Sequence, residues 1–275
     1  MPALARASIV VIGDEILDGH TRDTNSGWLA ERLSARGVPV DRVVTVPDTM
    51  EAIDEALATE LARARPRLVL TSGGIGSTPD DLTIVAVAAH LGRGVVAEPT
   101  LDARISDWAR RAEDDGAPIP DDQVAAMRKM ALVPEGAYLL EGALGVTPGV
   151  AVDLEGGVRE GGATIVVLPG VPEELQRIAI EGVEPLLEGL GVVPHLVELR
   201  HPYPESTLSP LLGELVERFP DVAIGSYPGR ECLVRLKGER ARVEEAAALV
   251  RAHLDGLAGD SGAEARRARW QARWE

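Results

Sequence analysis

The stretch Arg67–Thr83, RLVLTSGGIGSTPDDLT, decides the fold of the first two-thirds of the chain. Its opening residues, Arg67–Thr71, form a short apolar run that is typical of a buried parallel strand, and Pro79–Leu91 has the pattern of a helix. In an open α/β sheet, ligands bind where such strands end and lead into the next helix. The stretch therefore predicts both a parallel sheet and the position of a ligand site.

Strand and helix patterns continue to alternate on both sides of this stretch, which predicts a mostly parallel sheet with helices on both faces. The alternating segments are Ser8–Ile12, Thr24–Arg36, Val38–Val46 and Met50–Ala64 before it, and Leu101–Glu113, Asp122–Met130, Tyr138–Leu140, Val150–Leu154, Thr164–Leu168 and Pro172–Leu187 after it. We predict an α/β domain over residues 1–189 and a small α+β domain over residues 190–260. Residues 261–275 form a charged tail that either adds a helix or is disordered.

Composition excludes several classes of protein. The net charge of −16 and the isoelectric point near 4.8 argue against a nucleic-acid partner, which would require a basic face. Cys232 is the single cysteine, so the chain cannot form an internal disulfide, and a cysteine-based metal site is not expected. The amino terminus does not resemble a signal peptide, and no segment approaches the roughly 18 apolar residues of a membrane span. We therefore expect a cytoplasmic protein with no membrane partner.

The glycine loop predicts an anion site. Gly73, Gly74 and Gly76 would let the backbone approach a ligand closely, while Thr78 would cap the helix with Pro79 in its first turn. The free N–H groups and the helix dipole would then favour an anion. The loop is neither a P-loop nor a dinucleotide fingerprint. The alternative is a structural turn in which Asp81 only caps the helix.

Acidic residues beside this loop point to a cation. Asp80 and Asp81 would repel a phosphate unless a divalent ion bridged them, and Asp14 follows the first strand at the same sheet edge. We assign Asp14 and Asp81 as metal ligands and catalytic residues. Loop polarity and helix capping are the alternative role for these residues. The further residues assigned to ligand binding are Gly13, Glu15, Thr24, Asn25, Ser72, Gly73, Gly74, Gly76, Ser77, Thr78, Asp80 and Gly170.

Three ordered motifs resemble the molybdopterin-binding domain superfamily: IGDEILDGHTRDTNSGWLAERL (12–33), TSGGIGSTPDDLT (71–83) and LPGVPEEL (168–175). The nearest resemblance is to the amino-terminal part of competence/damage-inducible protein A (CinA), and it covers Ser8 to Leu187. It implies a three-layer MogA-like fold and a homo-oligomer, either a dimer or a trimer. Asp81 aligns with the aspartate after the glycine loop that is functional in the family, and Asp14 matches the acidic position after the first strand. Many CinA proteins continue into a nicotinamide-nucleotide deamidase domain, which is not expected here.

The resemblance leaves two ligands open. In the CinA branch it implies metal-dependent hydrolysis of the pyrophosphate bond in ADP-ribose-like nucleotides, with Mg²⁺, Mn²⁺ or Co²⁺ as the cofactor. In the molybdenum-cofactor branch it implies binding of molybdopterin, here without turnover. The loop reads Ser-Gly-Gly-Ile-Gly rather than Thr-Gly-Gly-Thr-Gly, which favours the CinA branch. A scaffold that retains only the fold is a third reading.

Overall fold

The computed structural model describes residues 4–143 and 145–274 and divides the chain into two units, one up to Val193 and one from Pro194. A six-stranded sheet in the order β2-β1-β3-β8-β7-β6 is the centre of the first unit. Strands β2, β1, β3 and β8 are parallel, β7 pairs antiparallel with β8, and β6 pairs antiparallel with β7. The strands of this unit are β1 (Arg6–Ile12), β2 (Val40–Val46), β3 (Arg67–Ser72), β4 (Val95–Ala97), β5 (Leu132–Pro134), β6 (Tyr138–Leu139), β7 (Val150–Leu154) and β8 (Ala163–Leu168).

Helices cover both faces of the sheet. They are α1 (Asp14–Leu17), α2 (Asn25–Ala35), α3 (Met50–Leu61), α4 (Thr83–His90), α5 (Pro99–Asp114), α6 (Asp121–Met127) and α7 (Pro172–Ile178). Alternate residues of β1 divide between the two faces: Ile9 packs in the cluster that contains α2 and α7, and Val10 in the cluster that contains α3 and α4. The three-layer α/β fold with a mostly parallel sheet is therefore confirmed.

Three local predictions differ from the structure. The helix expected from Pro79 begins at Thr83, so Thr78 does not cap it and Pro79 does not lie in its first turn. The side chain of Asp81 accepts hydrogen bonds from both the N–H and the hydroxyl of Thr78, which closes a separate turn ahead of α4. The short antiparallel pair of β4 and β5 was not predicted. The helix expected over Pro172–Leu187 is α-helical only to Ile178 and then continues as π and 3-10 turns.

The second unit is a three-stranded antiparallel sheet with helices. Its elements are β9 (His195–His201), α8 (Glu205–Arg218), β10 (Ala223–Tyr227), β11 (Cys232–Gly238), α9 (Arg240–Leu257) and α10 (Ser261–Gln271), with strand order β10-β11-β9. The charged tail, left open between helix and disorder, forms α10. It packs through buried Ala263 and a hydrogen bond from the Tyr203 hydroxyl to Glu264 (3.0 Å). Cys232 is a buried residue of the core, as its strand pattern suggested.

Candidate functional site

A cavity of about 420 Å³ lies where β1, β3 and β8 end. This volume is within the range of small-molecule sites, and the position is the one that a parallel sheet favours. The predicted residues that line it are Glu15, Thr24, Asn25, Ser72, Gly73, Gly74, Gly76, Asp80, Asp81 and Gly170. Four other predicted residues, Gly13, Asp14, Ser77 and Thr78, do not line it. The structure thus gathers segments that are far apart in the sequence around one cavity.

The glycine loop is shaped first by its own packing. Gly73 and Gly74 have φ values of 104° and 66°, in the region that favours glycine. A side chain on Gly73 would overlap the carbonyl oxygen of Ile12, and one on Gly74 would overlap the Thr83 hydroxyl. Glycine is therefore required at both positions because the loop packs closely against Ile12 and Thr83, whether or not a ligand is bound.

The loop nevertheless presents donors to the cavity. The Gly73 N–H is used, since it donates to the Leu168 carbonyl (3.1 Å). Gly74, Ile75 and Gly76 all line the cavity. Their backbone N–H groups form no hydrogen bond in the part of the chain that the structure describes. Successive free backbone N–H groups are a common way to bind an anion. The anion site predicted from the sequence would therefore use these three amides rather than a helix start at Pro79.

Asp48 is an acidic residue of the cavity that sequence reasoning missed. Its carboxylate accepts a hydrogen bond from the backbone N–H of Asp14 (2.8 Å). Burial raises the pKa of Asp48, and the negative charges of Glu15, Asp14 and Asp80 raise it further. The position of Asp48 just after β2, a parallel strand, was the sequence signal that could have identified it.

Asp14 thus contributes its backbone rather than a lining carboxylate. It lies at the first residue of the short helix α1, and its N–H orients Asp48. The carboxylates that line the cavity belong to Glu15, Asp23, Asp48, Asp80, Asp81 and Glu174. An uncompensated group of this kind attracts a cation and repels an anion.

Arg22 is the single basic residue among those that line the cavity, and sequence reasoning did not select it. It lies in the connection between α1 and α2. Its guanidinium forms no ion pair or hydrogen bond with any residue in 4–143 or 145–274. A free guanidinium at the mouth of an acidic cavity is well suited to a phosphate, which it can bind through two parallel hydrogen bonds.

Asn25 connects two of the loops that form the cavity. Its side-chain NH2 donates to the Gly170 carbonyl (2.8 Å) and to the Ser72 hydroxyl (3.1 Å). Asn25 is only 8% exposed because it is the first residue of α2 and faces the ends of β3 and β8. The predicted residues Ser72, Asn25 and Gly170 therefore form one hydrogen-bonded group.

The side chains of the cavity that could bind a metal ion offer oxygen atoms, since neither histidine nor cysteine lines it. Such a donor set suits hard cations such as Mg²⁺ and Mn²⁺. Within residues 4–143 and 145–274, no three His, Cys, Asp or Glu side chains are arranged to hold a metal ion. This arrangement fits an ion that arrives with substrate phosphates and uses one or two protein carboxylates, as Mg²⁺ commonly does.

The description "Probable molybdopterin binding domain" applies to a family that matches residues 8–189 of this chain. The chain belongs to this family. The match spans all of the elements that form the cavity, which confirms the family resemblance and the MogA-like fold. No helix in the described part of the chain is both long and apolar enough to span a membrane.

Similar proteins extend over both units. A protein from Aeropyrum pernix is 37% identical over 276 residues, covering 94% of this chain and 97% of its own length. A CinA-like protein from Mycobacterium sp. (strain MCS) is 42% identical over 173 residues, covering 62% of this chain but only 39% of its own length. A crystal structure of CinA from Thermoplasma acidophilum, described as of unknown function, has 28% identity and a TM-score of 0.52, covering 64% of this chain and 94% of that one. The CinA type is therefore confirmed.

Proposed function

We propose that this protein is a divalent-metal-dependent nucleotide pyrophosphatase that acts on ADP-ribose-like substrates. The observation that carries the proposal is the pairing, in one cavity, of free backbone N–H groups with acidic side chains. A diphosphate fits the amides of Gly74, Ile75 and Gly76, and a cation is required to offset the carboxylates beside it. Arg22 supports the same ligand because it adds a positive charge at the cavity.

Each residue has a separate task in this proposal. Asp48 and Asp81 hold the cation, and Asp14 keeps Asp48 in place through its backbone N–H. Asp81 stands as the sequence assigned it, whereas Asp14 acts through Asp48 rather than as a direct ligand. When bound, the metal ion lowers the pKa of a coordinated water and polarises a phosphoryl oxygen. The loop amides and Arg22 bind the diphosphate and stabilise the negative charge that develops on it.

The test is a product assay on purified protein with ADP-ribose, FAD and ATP, each with Mg²⁺, Mn²⁺ or Co²⁺. We expect AMP from a dinucleoside-type diphosphate and none from ATP. The variant Asp81→Asn should lose AMP release and keep its fold, since an amide oxygen still accepts from Thr78. Asp18→Asn is the matched control, because Asp18 is an exposed acid near the cavity that does not line it. Full activity in Asp81→Asn would remove Asp81 from its catalytic role.

A second function is molybdopterin binding without turnover, which the description of the matched family favours. The same free amides would bind the phosphate of the pterin. Co-purification of a fluorescent pterin, together with no AMP from any substrate, would support this function over the first. Assembly into a dimer or trimer remains a prediction, which light scattering of the purified protein would test.

A further inference from the structure

The orientation of the Asn25 amide is fixed by its neighbours. A backbone carbonyl can only accept, so the Gly170 oxygen at 2.8 Å requires the NH2 side of the amide to face it. The Ser72 hydroxyl donates to the Pro169 carbonyl (3.4 Å) and therefore accepts from the same NH2 group. A flipped amide would place two acceptor oxygen atoms against each other at the Gly170 contact.

This orientation leaves the Asn25 Oδ1 atom without a partner. The atom is buried, and no donor among the described residues reaches it. Both hydrogens of the amide are used by the cavity loops, whereas its acceptor is buried and unpaired in a residue that lines the cavity. Buried polar groups in folded proteins nearly always have partners, so an open one in a ligand cavity points to a partner in the ligand.

The chemistry of Oδ1 limits what that partner can be. A carbonyl oxygen accepts hydrogen bonds, so it repels phosphate oxygens and selects a hydroxyl or amino group. Apolar side chains of Ile16, Val171 and Pro172 also line this cavity and suit the ring portion of a ligand. The free amides and Arg22, by contrast, suit the diphosphate.

We propose that Asn25 Oδ1 accepts a hydrogen bond from a hydroxyl or amino group of the nucleoside part of the substrate, which makes Asn25 a specificity-determining residue. The inference deepens the proposed function and rests on it for the class of substrate. A site built to bind a donor discriminates strongly against an analogue that lacks the donor, because the buried acceptor then remains unpaired. The nucleoside would be recognised at the start of α2 and the diphosphate at the glycine loop.

The test is calorimetric titration, with Mg²⁺ present, of AMP and three analogues that each lack one donor: 2′-deoxy-AMP, 3′-deoxy-AMP and purine riboside monophosphate. We expect the wild-type protein to bind one analogue at least about tenfold more weakly than AMP. Asn25→Ala should bind AMP and that analogue equally. Asn25→Asp retains an acceptor oxygen and should keep the discrimination, even with weaker binding overall.

Three results would overturn the inference: equal wild-type affinity for all four nucleotides, discrimination that persists in Asn25→Ala, or no binding of AMP. Melting temperatures of both variants show whether the fold is kept. If Asn25→Ala does not fold, the wild-type comparison and Asn25→Asp still decide, since loss of discrimination in a folded Asn25→Asp contradicts an acceptor role. AMP release is measured separately, so a protein that discriminates without hydrolysis would retain this inference and lose the hydrolase function.

Discussion

The acidic residues at the two ends of the parallel sheet have opposite electrostatic environments. At the amino end, buried Arg67 binds Asp41 through two hydrogen bonds (2.8 and 3.1 Å) and also donates to Ser8. The hydrogen bond from Arg67, assisted by Arg6, lowers the pKa of Asp41. At the carboxyl end, burial raises the pKa of Asp48, and the negative charges of Glu15, Asp14 and Asp80 raise it further.

The contrast separates a structural charge from a functional one. A buried charge that stabilises the fold usually has an oppositely charged partner within the protein. Like charges that lie close together destabilise the fold, and they indicate a site that binds a ligand or an ion. Burial also raises the pKa of Asp41, but the hydrogen bond from Arg67 outweighs it. The contrast is consistent with the cation and ligand that we propose for the carboxyl end.

Removal of the arginine at the amino end should have the largest effect. Arg67→Met would leave Asp41 without its buried partner, and we expect the free energy of unfolding to fall by about 3 kcal/mol. Urea denaturation measures the change. Arg6→Ala is the matched control, since Arg6 contacts the same carboxylate but is half exposed, and its loss should cost less than about 1 kcal/mol. Equal losses in the two variants would show that burial of the pair is unimportant.

Removal of the acid at the carboxyl end should affect activity rather than stability. Asp48→Asn is expected to lower turnover of ADP-ribose on the order of 100-fold, because the cation loses a ligand. The melting temperature should stay the same or rise, since like-charge repulsion is relieved and the amide oxygen still accepts from Asp14. A lower melting temperature with normal turnover would show that Asp48, like Asp41, has a structural role and no role in turnover.

The free guanidinium at the cavity should affect substrate binding. Arg22→Ala is expected to raise KM for ADP-ribose by about tenfold, equivalent to about 1.4 kcal/mol, with a smaller effect on kcat. Arg22→Lys should recover part of the loss because it restores the charge without the planar fork. Arg104→Ala, on the exposed face of α5, serves as the control. An unchanged KM in Arg22→Ala would contradict a phosphate contact.

The smallest effect is a pH dependence of opposite sign at the two ends. A raised pKa means that folded Asp48 retains its proton above the ordinary value of 3.8, so its contribution to stability falls as the pH rises from there through the raised pKa. The lowered pKa of Asp41 gives a contribution that is present above 3.8 and is lost as the pH falls.

Melting temperatures across this pH range test both signs together. The melting temperature of Asp48→Asn minus that of the wild type should increase with pH. The melting temperature of Asp41→Asn minus that of the wild type should decrease with pH. Differences that change in the same direction would show that the two carboxylates have similar environments. Added Mg²⁺ should reduce the first difference and leave the second unchanged.

Local patterns predicted the elements well where one physical signal dominated. The apolar run of β3 and the spacing of Ile53 and Leu57 in α3 were sufficient, because burial of one face determines each element. The start of α4 was predicted wrongly because Thr78-Pro79 has the composition of a helix start. The side chain of Asp81 instead accepts hydrogen bonds from Thr78 and closes a separate turn before α4. Both the helix cap and this turn are compatible with the local sequence, and the tertiary structure selects the turn.

The site was predicted in part for a similar reason. Gly73, Asp81 and Asn25 follow strand ends in recognisable motifs, and the parallel topology places all three at one cavity. Asp48 and Arg22 lie in short connections whose letters resemble ordinary loop residues. Their proposed roles depend on their surroundings: acids lie around Asp48, and Arg22 has no partner among residues 4–143 and 145–274.

The sequence by itself determined the alternation of strands and helices, the family and the edge of the sheet where a ligand would bind, because each follows from periodicity and from motifs that are local in the chain. Only the tertiary structure decided which carboxylates lie together, that the backbone N–H of Asp14 binds Asp48, and that the Asn25 oxygen has no partner among the described residues. These features depend on distances between residues separated by tens to more than a hundred positions. Electrostatic and hydrogen-bond energies depend on those distances, and chain folding alone sets them.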